Sequence, residues 1–287
     1  MRCFDRVQCS DRSNNLITSS NERAANPDWQ PLCKEDKSMC ANSFTESQLQ
    51  EFQRTGHVTV AHLFDAVTIQ SVLDDLTIWS SEFLTALRSE DRDWFLEHST
   101  QTTKLLRKLD HPVFHRESFR KLATHACLIP MIHQLLGPDC HVFFSQVFMK
   151  PPEAGTPKPI HQDNFYFGPD NLDATLTVWV ALDDATLTNG CLHYCDYHQT
   201  EVLPHFAPDD EPYNLQIAPE HFDQEQLVPA PIASGGVSFH HGNTPHFSAA
   251  NLSKNSRRAV AFHYLRNDAT MIHSGLNYDP AMRMHVG

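Results

Sequence analysis

The sequence has no run of about 18 apolar residues, which argues against a membrane-spanning helix. Met1 to Val7 carries Arg2, Asp5 and Arg6 and lacks the apolar stretch of a secretory leader, so none is expected. Asp11, Glu22 and Asp28 weigh against an organellar transit peptide, and His285-Val286-Gly287 matches no retention or anchoring signal. A cytoplasmic location is the resulting expectation. Positive charge is also scarce. Lys and Arg number 22 against 35 Asp and Glu, a net charge of −13, which argues against nucleic acid or an anionic membrane as the main partner but leaves room for a local basic pocket. No internal repeat and no low-complexity linker follows residue 43, so residues 43–287 are expected to form one domain.

Cysteine and histidine are well supplied. Of eight Cys, four (Cys3, Cys9, Cys33 and Cys40) fall in a segment rich in Asn, Ser, Asp and Arg that has no periodicity. Residues 1–42 therefore read as a poorly ordered extension, with reduced thiols expected in the absence of a leader. The 19 His raise a metal hypothesis, because imidazole is the commonest metal ligand, but a count locates no site.

Thr45 is placed to cap a helix that begins near Glu46. His57 to Leu63 alternates weakly, as a strand would. Thr68 to Leu87 spaces Val72, Leu73, Leu76, Trp79, Phe83 and Leu87 at helical intervals. Gln101 to Leu109 reads as a short helix. Ser118 to Leu136 reads as a third long one, closed by Gly137-Pro138. The period then shortens. His141–Met149, Thr175–Leu182, Val237–His241 and Ala259–Leu265 read as strands separated by turn residues. Helices followed by many short strands predict an α+β domain with a sandwich or jelly-roll core.

His161-Gln162-Asp163 is a His-x-Asp triplet. On a strand its imidazole and carboxylate would share one face, and a distant His could complete a facial triad suited to non-haem Fe(II). Composition alone predicts one or two such triplets, and two occur. His221-Phe222-Asp223 lies in a polar loop and reads as solvated, as does His115-Arg116-Glu117 before a helix. His161 follows an aromatic strand and precedes Phe165-Tyr166-Phe167, which could line a substrate side or simply pack. Downstream, His246 is followed by Ser248 on the same face and by Arg257, a fork suited to a carboxylate. His240, His241 and His263 lie nearby; His241 rivals His246, whereas His240 and His263 read as core or supporting residues. Cys191, His193 and Cys195 with His198 could suggest zinc. Ligands at i, i+2 and i+4 on one strand spread about 13 Å, however, which favours ordinary packing.

Together these residues resemble the phytanoyl-CoA dioxygenase-like family of Fe(II)/2-oxoglutarate oxygenases. The matching pieces run from Phe44-Thr45-Glu46 through Asp110-His111-Pro112-Val113-Phe114 and Lys150-Pro151-Pro152 to His161-Gln162-Asp163. They continue with Trp179 to Thr186, Asn189-Gly190-Cys191-Leu192, and His246, Ser248, Asn251, Leu252, Ser253 and Arg257. The resemblance implies a double-stranded β-helix (a jelly roll, cupin-like) with flanking N-terminal helices. It implies Fe(II) on His161, Asp163 and His246, with 2-oxoglutarate and O2 as co-reactants. It places Ser248 and Arg257 on the far carboxylate of 2-oxoglutarate, Trp179 alongside, and Gln146 and Gln162 near it. It implies hydroxylation of a small organic molecule with release of succinate and CO2, and the presence of Asp163 favours oxygen insertion or another oxidation over halogenation. The family usually has Pro-Gly-Ser-His where this chain has Cys195-Asp196-Tyr197-His198, a turn that borders the site in the family. A non-catalytic metal-binding or interaction protein on the same fold is the alternative. Substrate classes left open are a CoA thioester, an amino acid, a lipid and a secondary metabolite.

Overall fold

The structure, a computed structural model, describes residues 43–97, 104–209, 214–272 and 279–286. The proposed extension 1–42 and its four cysteines lie outside the described residues. Among the described residues there are seven α-helices: α1 (Glu46–Thr55), α2 (Ala66–Ala86), α3 (Arg92–Phe95), α4 (Pro112–His115), α5 (Glu117–Ala123), α6 (Ile129–Leu136) and α7 (Asp163–Phe167). The strands are β1 (His57–Val60), β2 (Lys108–Asp110), β3 (Cys140–Lys150), β4 (Lys158–His161), β5 (Thr175–Ala181), β6 (Leu192–Cys195), β7 (His205–Phe206), β8 (Gln216–Ile217), β9 (Leu227–Ala230), β10 (Val237–His241), β11 (His246–Ser248), β12 (Arg257–Arg266) and β13 (Met284–Val286).

Every strand pairing is antiparallel. A seven-stranded sheet runs β1-β10-β5-β12-β3-β13, with β2 also on β3, and a four-stranded sheet runs β4-β11-β6-β9. The fold is thus mixed α and β with mostly sheet. Period-two alternation sorts the large sheet's side chains. Val178 and Val180 of β5, Phe239 of β10 and Val260, Phe262 and Tyr264 of β12 join Ile69, Val72 and Leu76 of α2, Phe119 and Leu122 of α5 and Met131 and Ile132 of α6 in one buried core. Each such side chain contributes about 1.5–3 kcal/mol on burial. The alternate residues Trp179, Ala181, Ala259 and Ala261 pack against Leu192 and Tyr194 of the small sheet. One face of the large sheet therefore carries the helices, and the other meets the second sheet.

Thr45 caps α1 in a reciprocal box with Gln48, as its sequence position predicts. Two expected helices differ. The described part of Gln101–Leu109 ends in β2, because Leu109 pairs with Val147 and is needed as a sheet residue. The stretch Ser118–Leu136 is two helices, α5 and α6. The break lies at Thr124–Leu128, where His125 accepts onto its ring from Cys127 N–H and its N–H bonds Leu122. Cys140, Cys191 and Cys195 are free and buried. Among the described residues no helix is long and apolar enough to cross a membrane.

Candidate metal centre

His161 ends β4 and pairs in register with His246 of β11, which brings the rings to 4.3 Å between centroids. Asp163 was expected to share a strand with His161. Instead the strand stops at His161, Gln162 caps α7, and Asp163 opens that helix. The helical turn swings the carboxylate back toward the two imidazoles. Asp163 Oδ1 lies 3.9 Å from both His161 Nε2 and His246 Nε2. One ligand atom from each of the three lies within 4.8 Å of the others, and all three residues are buried. No other such cluster of His, Cys, Asp and Glu occurs among the described residues.

The backbone fixes which imidazole nitrogen faces the centre. His161 Nδ1 is 2.7 Å from Pro159 O, and His246 Nδ1 is 2.9 Å from Thr244 O. A carbonyl can only accept, so Nδ1 carries the proton and Nε2 offers a lone pair. Burial keeps both rings neutral, pulling His161 well below the ordinary histidine range and His246 to about 4. Burial also pushes the Asp163 carboxyl up, but the hydrogen bond from His240 and the fields of His246 and His263 overcome this and hold it well below the carboxylate range. Two neutral nitrogens and one ionised oxygen are a donor set that fits a divalent metal such as Fe(II).

The centre opens into a cavity of about 180 Å³ between the two sheets. Gln146, Trp179, Ser248 and Arg257 all line it. Arg257 is 2 % exposed, its Nε has no hydrogen-bond partner, and no ion pair with a described residue is present. Its guanidinium lies 5.6 Å from the Trp179 ring centre. Burial lowers it to about 10, so it stays a cation at neutral pH. A buried unpaired cation beside a metal donor set fits an incoming carboxylate. Gln146 donates from Nε2 to Asp110 Oδ1 at 2.7 Å, which leaves its carbonyl oxygen for the cavity.

Gln162 lies elsewhere. Its Nε2 donates to Glu201 O and Asn243 O, and its Oε1 accepts from Leu203 N–H. It ties the ligand-bearing segments together instead of facing the cavity. Asn164 does the same work, donating to Asn243 Oδ1 and Leu172 O. Phe165 stacks on His205 at 4.0 Å, while Tyr166 and Phe167 line the cavity. His241 lies at 3.3 Å from Asp173, away from the centre. The turn Cys195–His198 does not line the cavity either: Arg54 pairs with Asp196 at 3.2 Å, and His198 N–H bonds Arg54 O, so it packs on α1. Burial raises the Cys191 and Cys195 thiols, which opposes the thiolate form zinc needs. Two further residues line the site: Lys150, part of the Lys150-Pro151-Pro152 match and held to about 6 by burial and the field of Arg257, and Thr177, which carried no sequence signal.

The two-sheet fold and a two-histidine, one-carboxylate centre describe a mononuclear metalloprotein of the oxygenase type. The family model for phytanoyl-CoA dioxygenase (PhyH) matches residues 52–259, and the chain belongs to that family of Fe(II)/2-oxoglutarate-dependent oxygenases. A Stutzerimonas stutzeri protein named "Probable alpha-ketoglutarate-dependent hypophosphite dioxygenase" is 25 % identical over 233 residues, covering 79 % of this chain and 80 % of that one. Phytanoyl-CoA dioxygenase domain-containing protein 1 of Danio rerio is 30 % identical over 174 residues, covering 58 % of this chain and 59 % of that protein, less than two thirds of its length. Among solved structures, the non-heme alpha ketoglutarate dependent carbocyclase SnoK is 20 % identical with a TM-score of 0.66, covering 87 % of this chain and 99 % of that one. The epimerase SnoN, in complex with Fe3+, alpha ketoglutarate and nogalamycin RO, is 22 % identical with a TM-score of 0.62, covering 84 % and 94 %. At these identities the likeness is one of fold.

Proposed function

We propose that this protein is an Fe(II)/2-oxoglutarate-dependent dioxygenase, built on a double-stranded β-helix, that hydroxylates a small organic molecule and releases succinate and CO2. One observation carries the reading. The converging His161 Nε2, Asp163 Oδ1 and His246 Nε2 share a buried cavity with an unpaired guanidinium, Arg257. When bound, Fe(II) and 2-oxoglutarate supply the oxidising power, coupling O2 reduction to decarboxylation of the cosubstrate.

The chain's residues do the rest. His161, Asp163 and His246 would hold the metal through their converging donor atoms, and the cavity beside them would admit the cosubstrate. Arg257 and Ser248 hold the far carboxylate of 2-oxoglutarate, with the Trp179 ring as a wall and Gln146 offering an acceptor. The ligand residues and Arg257 are themselves buried between the sheets, which strengthens each electrostatic contact. The names of relatives and neighbours include a dioxygenase, a carbocyclase and an epimerase; Asp163 in the third ligand position favours an oxidation over halogenation, and hydroxylation is the oxidation proposed.

The test is succinate formation from 2-oxoglutarate with Fe(II). His161→Ala and Asp163→Ala should abolish it. Full turnover by metal-free protein, or by His161→Ala, would overturn the proposal.

A further inference from the structure

Asp163 uses its two oxygens differently. Oδ1 faces the two histidine Nε2 atoms, whereas Oδ2 is turned into the large sheet. There Thr177 Oγ1 of β5 lies at 2.6 Å and His240 Nε2 of β10 at 3.2 Å. An ionised carboxylate only accepts, so both partners donate to it. Thr177 has one hydroxyl proton, spent on Asp163. Its oxygen therefore accepts from His263 Nδ1–H at 2.8 Å. His240 Nδ1 lies 3.0 Å from the Tyr194 hydroxyl, which in turn lies 2.8 Å from Ser238 Oγ. All five supporting residues are buried. Thr177, Ser238, His240 and His263 project from the face of the large sheet opposite the helix-packed residues, and Tyr194 reaches them from β6 of the small sheet.

We propose that Thr177 and His240 clamp Oδ2 so that Asp163 meets the metal through Oδ1 alone, and that Tyr194 acts through His240 as a positioning residue. The inference rests on the metal reading above and specifies how the third ligand is held. Two donors at 2.6 and 3.2 Å already occupy Oδ2, and rotating it onto the metal would strand both in a dry interior. A one-oxygen ligand takes one coordination position. A two-oxygen ligand would take two, and with the histidines would leave too few for a chelating cosubstrate and O2. Ser238→Tyr194→His240→Asp163 and His263→Thr177→Asp163 are then two donor chains ending on the same oxygen. They explain why this strand face carries polar residues where the opposite face is apolar.

Titration of metal-free protein with Co(II), followed by its visible absorption, tests this. Thr177→Val keeps the side-chain shape and removes the donor. It should weaken Co(II) binding about 10–100-fold and shift the absorption bands as the carboxylate rotates. Thr177→Ser should restore affinity and spectrum. Tyr194→Phe removes a hydroxyl two hydrogen bonds away from Asp163 and should cost about fivefold and shift the bands in the same direction. Circular dichroism checks that each variant is folded. Wild-type affinity and an unaltered spectrum in folded Thr177→Val would overturn the inference; if that variant does not fold, the same result in Tyr194→Phe would do so. Failure of the wild-type protein to bind Co(II) at all would instead remove the metal reading itself.

Discussion

Arg257 shows how one residue's meaning depends on burial. On the sequence it is one of two adjacent arginines. In the structure the pair splits: Arg258 turns out to a fork with Asp183 at 2.7 Å, while Arg257 turns in without an ion pair to a described residue. Strand alternation alone forces that split, because neighbours on β12 face opposite sides. Arg257→Ala should raise the KM for 2-oxoglutarate at least about 30-fold, the equivalent of the lower end of the roughly 2–5 kcal/mol for removing one member of a buried charge pair. Initial rates of succinate formation across cosubstrate concentrations would show it. Arg257→Lys keeps the charge without the fork and should recover part of the loss. An unchanged KM would take Arg257 out of the cosubstrate site.

At the scale of elements, the ligand-bearing turns depend on distant chain. Gly56 ends α1 with φ 78°, a left-handed conformation that suits glycine. A Cβ there would meet Thr244 Oγ1 at 2.5 Å. Thr244 donates its hydroxyl to Gly56 O at 2.9 Å, and its own carbonyl holds His246 Nδ1. Gly56→Ala should therefore destabilise the fold by more than about 1 kcal/mol and also weaken metal binding, although residue 56 touches no ligand. Urea midpoints and Co(II) titration together check this; stability lost with metal affinity intact would break the link. Elements were legible where one period ran uninterrupted, as in α2, β5, β10 and β12. Legibility failed where tertiary contacts chose between states: at β2, recruited by β3, and at the α5–α6 break. It also failed at α7, where the His-x-Asp spacing suggested a strand and Asn164 N–H bonded to Gly242 O instead pins a helical turn.

At the scale of the whole molecule, seven histidines among the described residues are buried and His205 is half-buried. His57, His205 and His241 are each held to about 4, chiefly by burial, against an ordinary value of 6.5. Unfolded, these rings take up protons near pH 6.5; folded, not until about pH 4. Between those values the unfolded state holds more protons, so stability is fully present above pH 6.5 and falls as the pH falls through the window. Three such groups give a slope of up to about 4 kcal/mol per pH unit. Urea unfolding of metal-free protein from pH 7.5 down to 5 should show a steep loss, and a flat profile would contradict neutral burial of these rings.

The family, the iron-ligand candidates and the order of helices before strands were written in the chain, because short motifs keep their order and spacing whatever the packing does. The absence of long apolar runs and of basic charge likewise narrowed the partners before any fold was known. Tertiary structure decided the rest. It turned Gln162 away from the cavity, moved the Cys195–His198 turn onto α1, and set Thr177, His240 and Tyr194 behind Asp163. None of those placements follows from local sequence, since each depends on which side chains from strands far apart in the chain meet between two sheets.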